Sequence, residues 1–159
     1  SDYNDVLYIA TSIVTDDEME SRVSNHRKSR NSKWNTFEGY KNLDKVIINT
    51  KLDYIILDCI TVMVTNIIFD SNYDYDNLQS KDFDIILNKV KYELEKLITS
   101  CKNRNKTLIM VTNEVGYGIV PEYKLGRIFR DMAGYVNQFI ASLCSDVYLV
   151  SCGIPLKIK

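Results

Sequence analysis

The sequence predicts an α/β fold, a mainly parallel sheet with helices on both faces. Three observations carry that expectation. Short apolar runs recur at 6–10, 54–57, 107–112 and 147–150, each of a length and composition suited to a strand buried on both faces. Helix-length segments with apolar residues at three- and four-residue spacing lie between the later runs. The two types alternate along the chain, which is the pattern of strand–helix–strand crossovers.

Val6 to Ala10 is the first strand, broken by Thr11-Ser12. Thr15 and Glu18 have capping-box spacing, so a helix is expected to start there and run to about His26. Tyr54 to Leu57 is the second strand, ending at Asp58, and 61–69 the helix after it. Met63, Ile67, Ile68 and Phe69 exceed what one core needs and are expected to leave apolar surface for another subunit. Residues 70–81, rich in Asp, Asn and Tyr, read as a surface loop. Phe83, Ile86, Leu87, Val90, Leu94, Leu97, Ile98 and Cys101 mark the clearest amphipathic helix.

Residues 107–112 form a third buried strand. Pro121 suits the first turn of a long helix, whose buried face runs from Leu125 through Ile128, Met132, Val136 and Ile140 to Leu143. Residues 147–150 are a last buried strand, with a short terminal one at 156–159. No repeat or linker interrupts the 159 residues, so residues 1–159 read as a single domain.

Lys and Arg total 20 against 21 for Asp and Glu, a net charge of -1. That excludes a general nucleic-acid coat, which needs a large basic excess, but not a local basic pocket. The most apolar window, Tyr54 to Phe69, is too short and too interrupted for a membrane span of ~20 residues. Cys59, Cys101, Cys144 and Cys152 show no CxxC or Cys/His spacing. They read as reduced, mostly buried thiols of a cytoplasmic protein. The first residues carry no signal pattern and lead almost at once into a strand, so the natural chain is expected to begin upstream.

Ligands of parallel sheets bind at the carboxyl ends of strands, which picks out Thr11-Ser12, Asp58-Cys59 and 113–118. His26, the one histidine, stands among Arg22, Arg27, Lys28, Arg30 and Lys33. It reads either as a nucleophile or acid/base group beside a phosphate pocket or as a surface histidine ending a helix. Asp58 reads equally as a carboxylate that orients Mg²⁺ or as a helix cap. The loop holding Glu114, Gly116 and Gly118 reads either as a plain strand-to-helix turn or as a close backbone approach to a ligand with Glu114 facing the crevice. In the long helix, Arg127, Asp131, Gly134 and Gln138 share a stripe, flanked by Arg130 and Asn137. A mid-helix glycine costs ~1 kcal/mol, so close packing is expected at Gly134.

VLYIATS at 6–12, DDEMESRVSNHR at 16–27, WNTFE at 34–38, LDCITVMVTN at 57–66, VTNEVGYGIVP at 111–121, GRIFRDMAGYVNQ at 126–138 and SCGIPLKIK at 151–159 resemble one family in its own order. It is the bifunctional adenosylcobinamide kinase/adenosylcobinamide-phosphate guanylyltransferase family of cobalamin biosynthesis. The resemblance implies a RecA-like sheet of the P-loop type and a homotrimer. It implies phosphorylation of adenosylcobinamide with ATP or GTP, then transfer of GMP from GTP through a guanylylated histidine, with Mg²⁺. That histidine falls on His26. The family's nucleotide contacts fall on Ala10, Thr11, Ser12, on Arg27, Lys28, Ser29 and Arg30, on Glu38, and on Asp58.

Members open with a strand and a glycine-rich loop ending GKS or GKT ahead of the VLYIATS segment, and this sequence contains no such motif. About twenty further residues, one strand–loop–helix start, would supply it. The competing expectation is a non-catalytic nucleotide- or corrinoid-binding protein that has lost the loop. Arg30-Asn31 also stands where the family often has Arg-Pro.

Overall fold

Val6–Ala10 forms β1, and all five of its residues are buried, as the unbroken apolar run requires. The computed structural model describes residues 5–13 and 17–159, apart from the side chains of Met19, Arg22, His26 and Ser29. Thr15, the expected cap of the first helix, lies outside the described residues. That helix, α1, spans Asp17–Ser29 and so runs past His26 to include Arg27 and Lys28. Asp17, Glu18 and Glu20 in its first turn complement the helix dipole.

Two elements had no signal in the apolar pattern. β2, Asn35–Glu38, is four mostly exposed residues and pairs on one side only. α2, Leu43–Asn49, is seven residues long and buries only Leu43 and Ile47, one turn apart. Its entry is shaped by Asn42 in the left-handed region at φ 52°, a conformation asparagine tolerates. The expected second strand is β3, Tyr54–Asp58, followed by α3, Ile60–Phe69. Then come α4, Ser80–Asn103, and β4, Thr107–Val111. A capping box between Gln79 and Asp82 starts α4, just after the loop that begins at Asp70.

The four strands form a parallel sheet in the order β2-β1-β3-β4, with helices around it. This is the expected α/β architecture. Ile9, Ile55 and Leu57 are fully buried at its centre, with Leu94 and Leu97 of α4. Two expectations fail here. β4 is not buried on both faces: it alternates, with Thr107, Ile109 and Val111 exposed and Ile109 51% so. Met63, Ile67 and Ile68 leave no spare apolar surface, since α3 is buried nearly all round and only Phe69 is exposed.

The chain divides into two compact units, Ser1–Asn113 and Glu114–Lys159. The second unit contains a short 3-10 turn at Val115–Tyr117, then α5 at Lys124–Leu143 and a hairpin of β5, Tyr148–Ser151, with β6, Ile154–Lys157. α5 buries Ile128, Met132, Val136 and Ile140 at four-residue spacing, as the periodicity predicts. Pro121 precedes α5 rather than sitting in its first turn, because Tyr123 is the N-cap. The proline ring instead packs on Gly126, where an added Cβ would lie 2.7 Å from its own Cβ. Gly134 is not tightly packed, with nothing within 4 Å of an added Cβ. The last strand is not a buried member of the parallel sheet. Cys152 and Gly153, both at positive φ, turn the chain back so that β5 pairs antiparallel with β6, both largely exposed.

The four cysteines form no disulfide with one another, but only Cys101 is buried, Cys59 and Cys144 are partly covered, and Cys152 is exposed. Burial pushes the Cys101 thiol up to about 11.

Candidate functional site

Parallel register sets one row of residues along the carboxyl edge of the sheet. Glu38 of β2 pairs with Ala10 of β1, Ala10 with Asp58 of β3, and Asp58 with Val111 of β4. Three expected site residues on three strands are thus neighbours in space.

Thr11 follows this row and is fully buried. Its N–H donates to the Asp58 carbonyl at 3.0 Å, and its carbonyl accepts from Asn66 Nδ2 of α3 at 2.7 Å. Its hydroxyl donates to the Cys59 carbonyl at 2.7 Å and accepts from the Cys59 N–H at 2.9 Å. Every polar group of Thr11 is therefore engaged inside the protein, where it clamps the end of β1 to the start of α3. Ala10 is buried, and Ser12 beside Thr11 is partly exposed.

Asp58 is not a helix cap. The N-cap of α3 is Cys59, and no side chain caps that helix. Asp58 Oδ2 instead accepts a hydrogen bond from the Tyr8 hydroxyl. Tyr8 lies two residues before Ala10 in β1, so alternation puts it on the same face of the sheet as Asp58. The Arg30 guanidinium lies 3.7 Å from the centre of the Tyr8 ring, a cation–π contact, and Trp34 stacks on the same ring at 6.3 Å. Burial pushes the Tyr8 phenol up to about 12, helped by its hydrogen bond to Asp58 and by the field of that carboxylate, with Arg30 acting the other way.

Beyond α1 a tight turn carries the chain back to the sheet. The Asn31 side chain accepts from the Lys33 N–H at 3.0 Å and its carbonyl from the Trp34 N–H at 3.1 Å, an Asx-type turn that delivers Trp34 to Tyr8. Arg27 is ion-paired with Glu38, joining the end of α1 to β2. Arg27, Arg30, Asn31, Ser32, Trp34, Thr36 and Glu38 line a cleft of about 390 Å³. Arg30 Nε and Nη1 are buried without a hydrogen-bond partner among the described residues, two donors suited to an anionic oxygen. Arg27 and Arg30 thus stand together in one cleft with Glu38. Lys28 is exposed on α1 and outside the described lining of the cleft. The backbone of His26 lies in the last turn of α1, while its side chain and that of Ser29 lie outside the described residues.

Sequence reasoning assigned no role to Tyr8 or Trp34. Tyr8 had a usable signal, a hydroxyl inside an otherwise apolar strand buried on both faces, which must find a partner. In the second unit Glu114 serves its own turn. It accepts from the Gly116 N–H at 3.2 Å and from Asn137 Nδ2 at 3.4 Å. Arg127 does not pair with Asp131 but donates to the Pro121 and Glu122 carbonyls, tying the loop to α5.

The family described as cobinamide kinase / cobinamide phosphate guanyltransferase matches residues 1–158. The chain belongs to this family. It is 44% identical to the bifunctional adenosylcobalamin biosynthesis protein CobU of Escherichia coli (strain K12) over 161 residues, 99% of this chain and 88% of that protein. It is 44% identical to the CobU protein of Salmonella typhimurium over 156 residues, 97% of this chain and 86% of that one. The bifunctional protein CobP of Pseudomonas aeruginosa is 31% identical over 157 residues, 97% of this chain and 82% of that one. The chain is therefore a bifunctional cobinamide kinase and cobinamide phosphate guanylyltransferase, an enzyme of adenosylcobalamin biosynthesis that works with nucleotides. The reading as a non-catalytic binding protein is not supported. Among the described residues no helix is long and apolar enough to cross a membrane.

Proposed function

We propose that the chain phosphorylates adenosylcobinamide with ATP or GTP and transfers GMP from GTP through His26, with the nucleotide held between the Arg27–Glu38 cleft and the carboxyl edge at Asp58. The carrying observation is the joining of these two places. Register sets Glu38, Ala10 and Asp58 in one row, and Tyr8 touches both Asp58 and Arg30. A nucleotide needs a cationic seat for its phosphates and a carboxylate for the accompanying metal, and both are present.

In the transfer, an imidazole nitrogen of His26 attacks the α-phosphorus of GTP, forming a P–N bond as pyrophosphate leaves. An oxygen of the corrinoid phosphate then attacks the same phosphorus. The P–N bond breaks and the histidine is restored. Arg27 and Arg30 offer charge-assisted donors to the equatorial oxygens, where negative charge is crowded. Lys28, Ser29 and Ser12 complete the nucleotide contacts in this reading. Thr11 acts as a positioning residue, its own polar groups being spent on Asp58, Cys59 and Asn66.

No group of three or more His, Cys, Asp or Glu side chains suited to a metal occurs among the described residues. One carboxylate at a strand end fits Mg²⁺, which keeps waters and takes substrate phosphates as its other ligands. Asp58 would hold it, directly or through water, and the ion would supply charge neutralisation at the phosphates. By resemblance the working form is a homotrimer, and the reduced cysteines fit a cytoplasmic protein.

Trp34 is the sole tryptophan and lines the cleft, so its emission reads nucleotide binding directly. In the full chain GMP and GTP should change that emission. Arg30→Ala should weaken GTP binding by about ten- to a hundredfold, the loss of charge-assisted hydrogen bonds worth ~1.5–3 kcal/mol. Unchanged affinity in Arg30→Ala would place the nucleotide elsewhere.

A further inference from the structure

Tyr8 stands where the two halves of the site meet. We propose that Tyr8 is a positioning residue for both transfer reactions, its hydroxyl orienting the Asp58 carboxylate while its ring seats the Arg30 guanidinium. The inference rests on the assignment of Asp58 to the metal and phosphate side.

Three observations support it. Asp58 ends a strand and caps no helix, so packing alone does not explain a carboxylate there. By donating to Oδ2, Tyr8 commits one carboxylate oxygen and leaves the other for a cation. That is how partners of metal-binding carboxylates work: they fix the ligand's orientation without touching the ion. On the other side, Arg30 Nε and Nη1 have no hydrogen-bond partner among the described residues, and the guanidinium lies against the face of the Tyr8 ring. A guanidinium held through its π face keeps its N–H donors for a ligand. The platform itself is rigid. Val6, Leu7, Ile9 and Ala10 on either side of Tyr8 are buried, so the core sets where the ring sits. One aromatic residue thus registers the carboxylate against the cation.

The test compares Tyr8→Phe, Asp58→Asn and the double variant in the full chain. Mn²⁺ binding in the presence of GTP is followed by loss of the free-ion signal in electron paramagnetic resonance, beside turnover, Trp34 emission and melting temperature. Asp58→Asn should weaken Mn²⁺ binding about a hundredfold and Tyr8→Phe about tenfold, the range expected for a ligand and for its orienting partner. The double variant should be no worse than Asp58→Asn, because Tyr8 acts through Asp58. In Tyr8→Phe the Trp34 response to metal-free GTP should persist, since the ring remains under Arg30. If Asp58→Asn loses Mn²⁺ while Tyr8→Phe binds it like the wild type, the role of Tyr8 is overturned and Asp58 stands. Losses that multiply in the double variant overturn it likewise. If Asp58→Asn itself binds Mn²⁺ normally, the metal assignment falls, and the orienting role of Tyr8 falls with it.

Discussion

Tyr8 brings a hydroxyl into a strand whose every side chain is buried, and its partner is a carboxylate on the next strand. The cost of burying that polar group is offset by the hydrogen bond it makes. The consequence is measurable in alkali. The folded phenol is pushed from an ordinary 10.0 up to about 12, so between these values the native state holds a proton that the unfolded chain has lost. Stability from this group is therefore full below about pH 10 and is lost as pH rises through about 12. Urea unfolding of the wild type and Tyr8→Phe should show the gap between them closing over that window. A gap constant with pH would show that Tyr8 ionises normally. At this scale the sequence revealed the residue types at the site but not their partners. Asp58 left two roles equally open, and only the position of the cap at Cys59 separates them. Glu114 read as a crevice-facing carboxylate because nothing in its spacing reveals a side chain folded back onto Gly116.

Elements were legible where burial imposes a pattern. β1, β3, α4 and α5 announced themselves through continuous or periodic apolar residues. β2 and α2 did not, because an exposed edge strand and a two-turn helix need few apolar residues and carry little period. β5 misled for a related reason: an apolar run has no mark that tells a buried parallel strand from an exposed hairpin. The joint between elements that most affects the site is Thr11, which ties β1, β3 and α3 through three hydrogen-bonding groups. Thr11→Ala would leave the Cys59 N–H and carbonyl without that hydroxyl. The expected loss is about 2–4 kcal/mol in denaturant unfolding. Thr11→Ser keeps the hydroxyl and should cost only the buried methyl, about 1 kcal/mol. Equal losses in the two variants would mean that the methyl, not the clamp, matters.

For the whole molecule, 44% identity to CobU proteins across nearly the entire chain agrees with a resemblance first carried by seven short motifs. The α/β class followed from alternation alone, whereas the chemistry came from motif order, because no single spacing here specifies a guanylyl transfer. The trimer is expected from that resemblance, not from α3, which leaves only Phe69 exposed. Light scattering at micromolar concentration should give three times the mass of the chain, and a stable monomer would contradict the assembly.

The central claim is that GMP passes through His26. The full chain, incubated with Mg²⁺ and GTP labelled at the α-phosphate, should take up one GMP per subunit in an acid-labile, base-stable linkage, the behaviour of a phosphoramidate. His26→Asn should abolish this label while leaving the kinase step largely intact, since a hydroxyl attacking a γ-phosphate needs no enzyme nucleophile. A label that survives His26→Asn would contradict the account and leave the basic stretch from Arg27 to Lys33 as a phosphate-binding surface only.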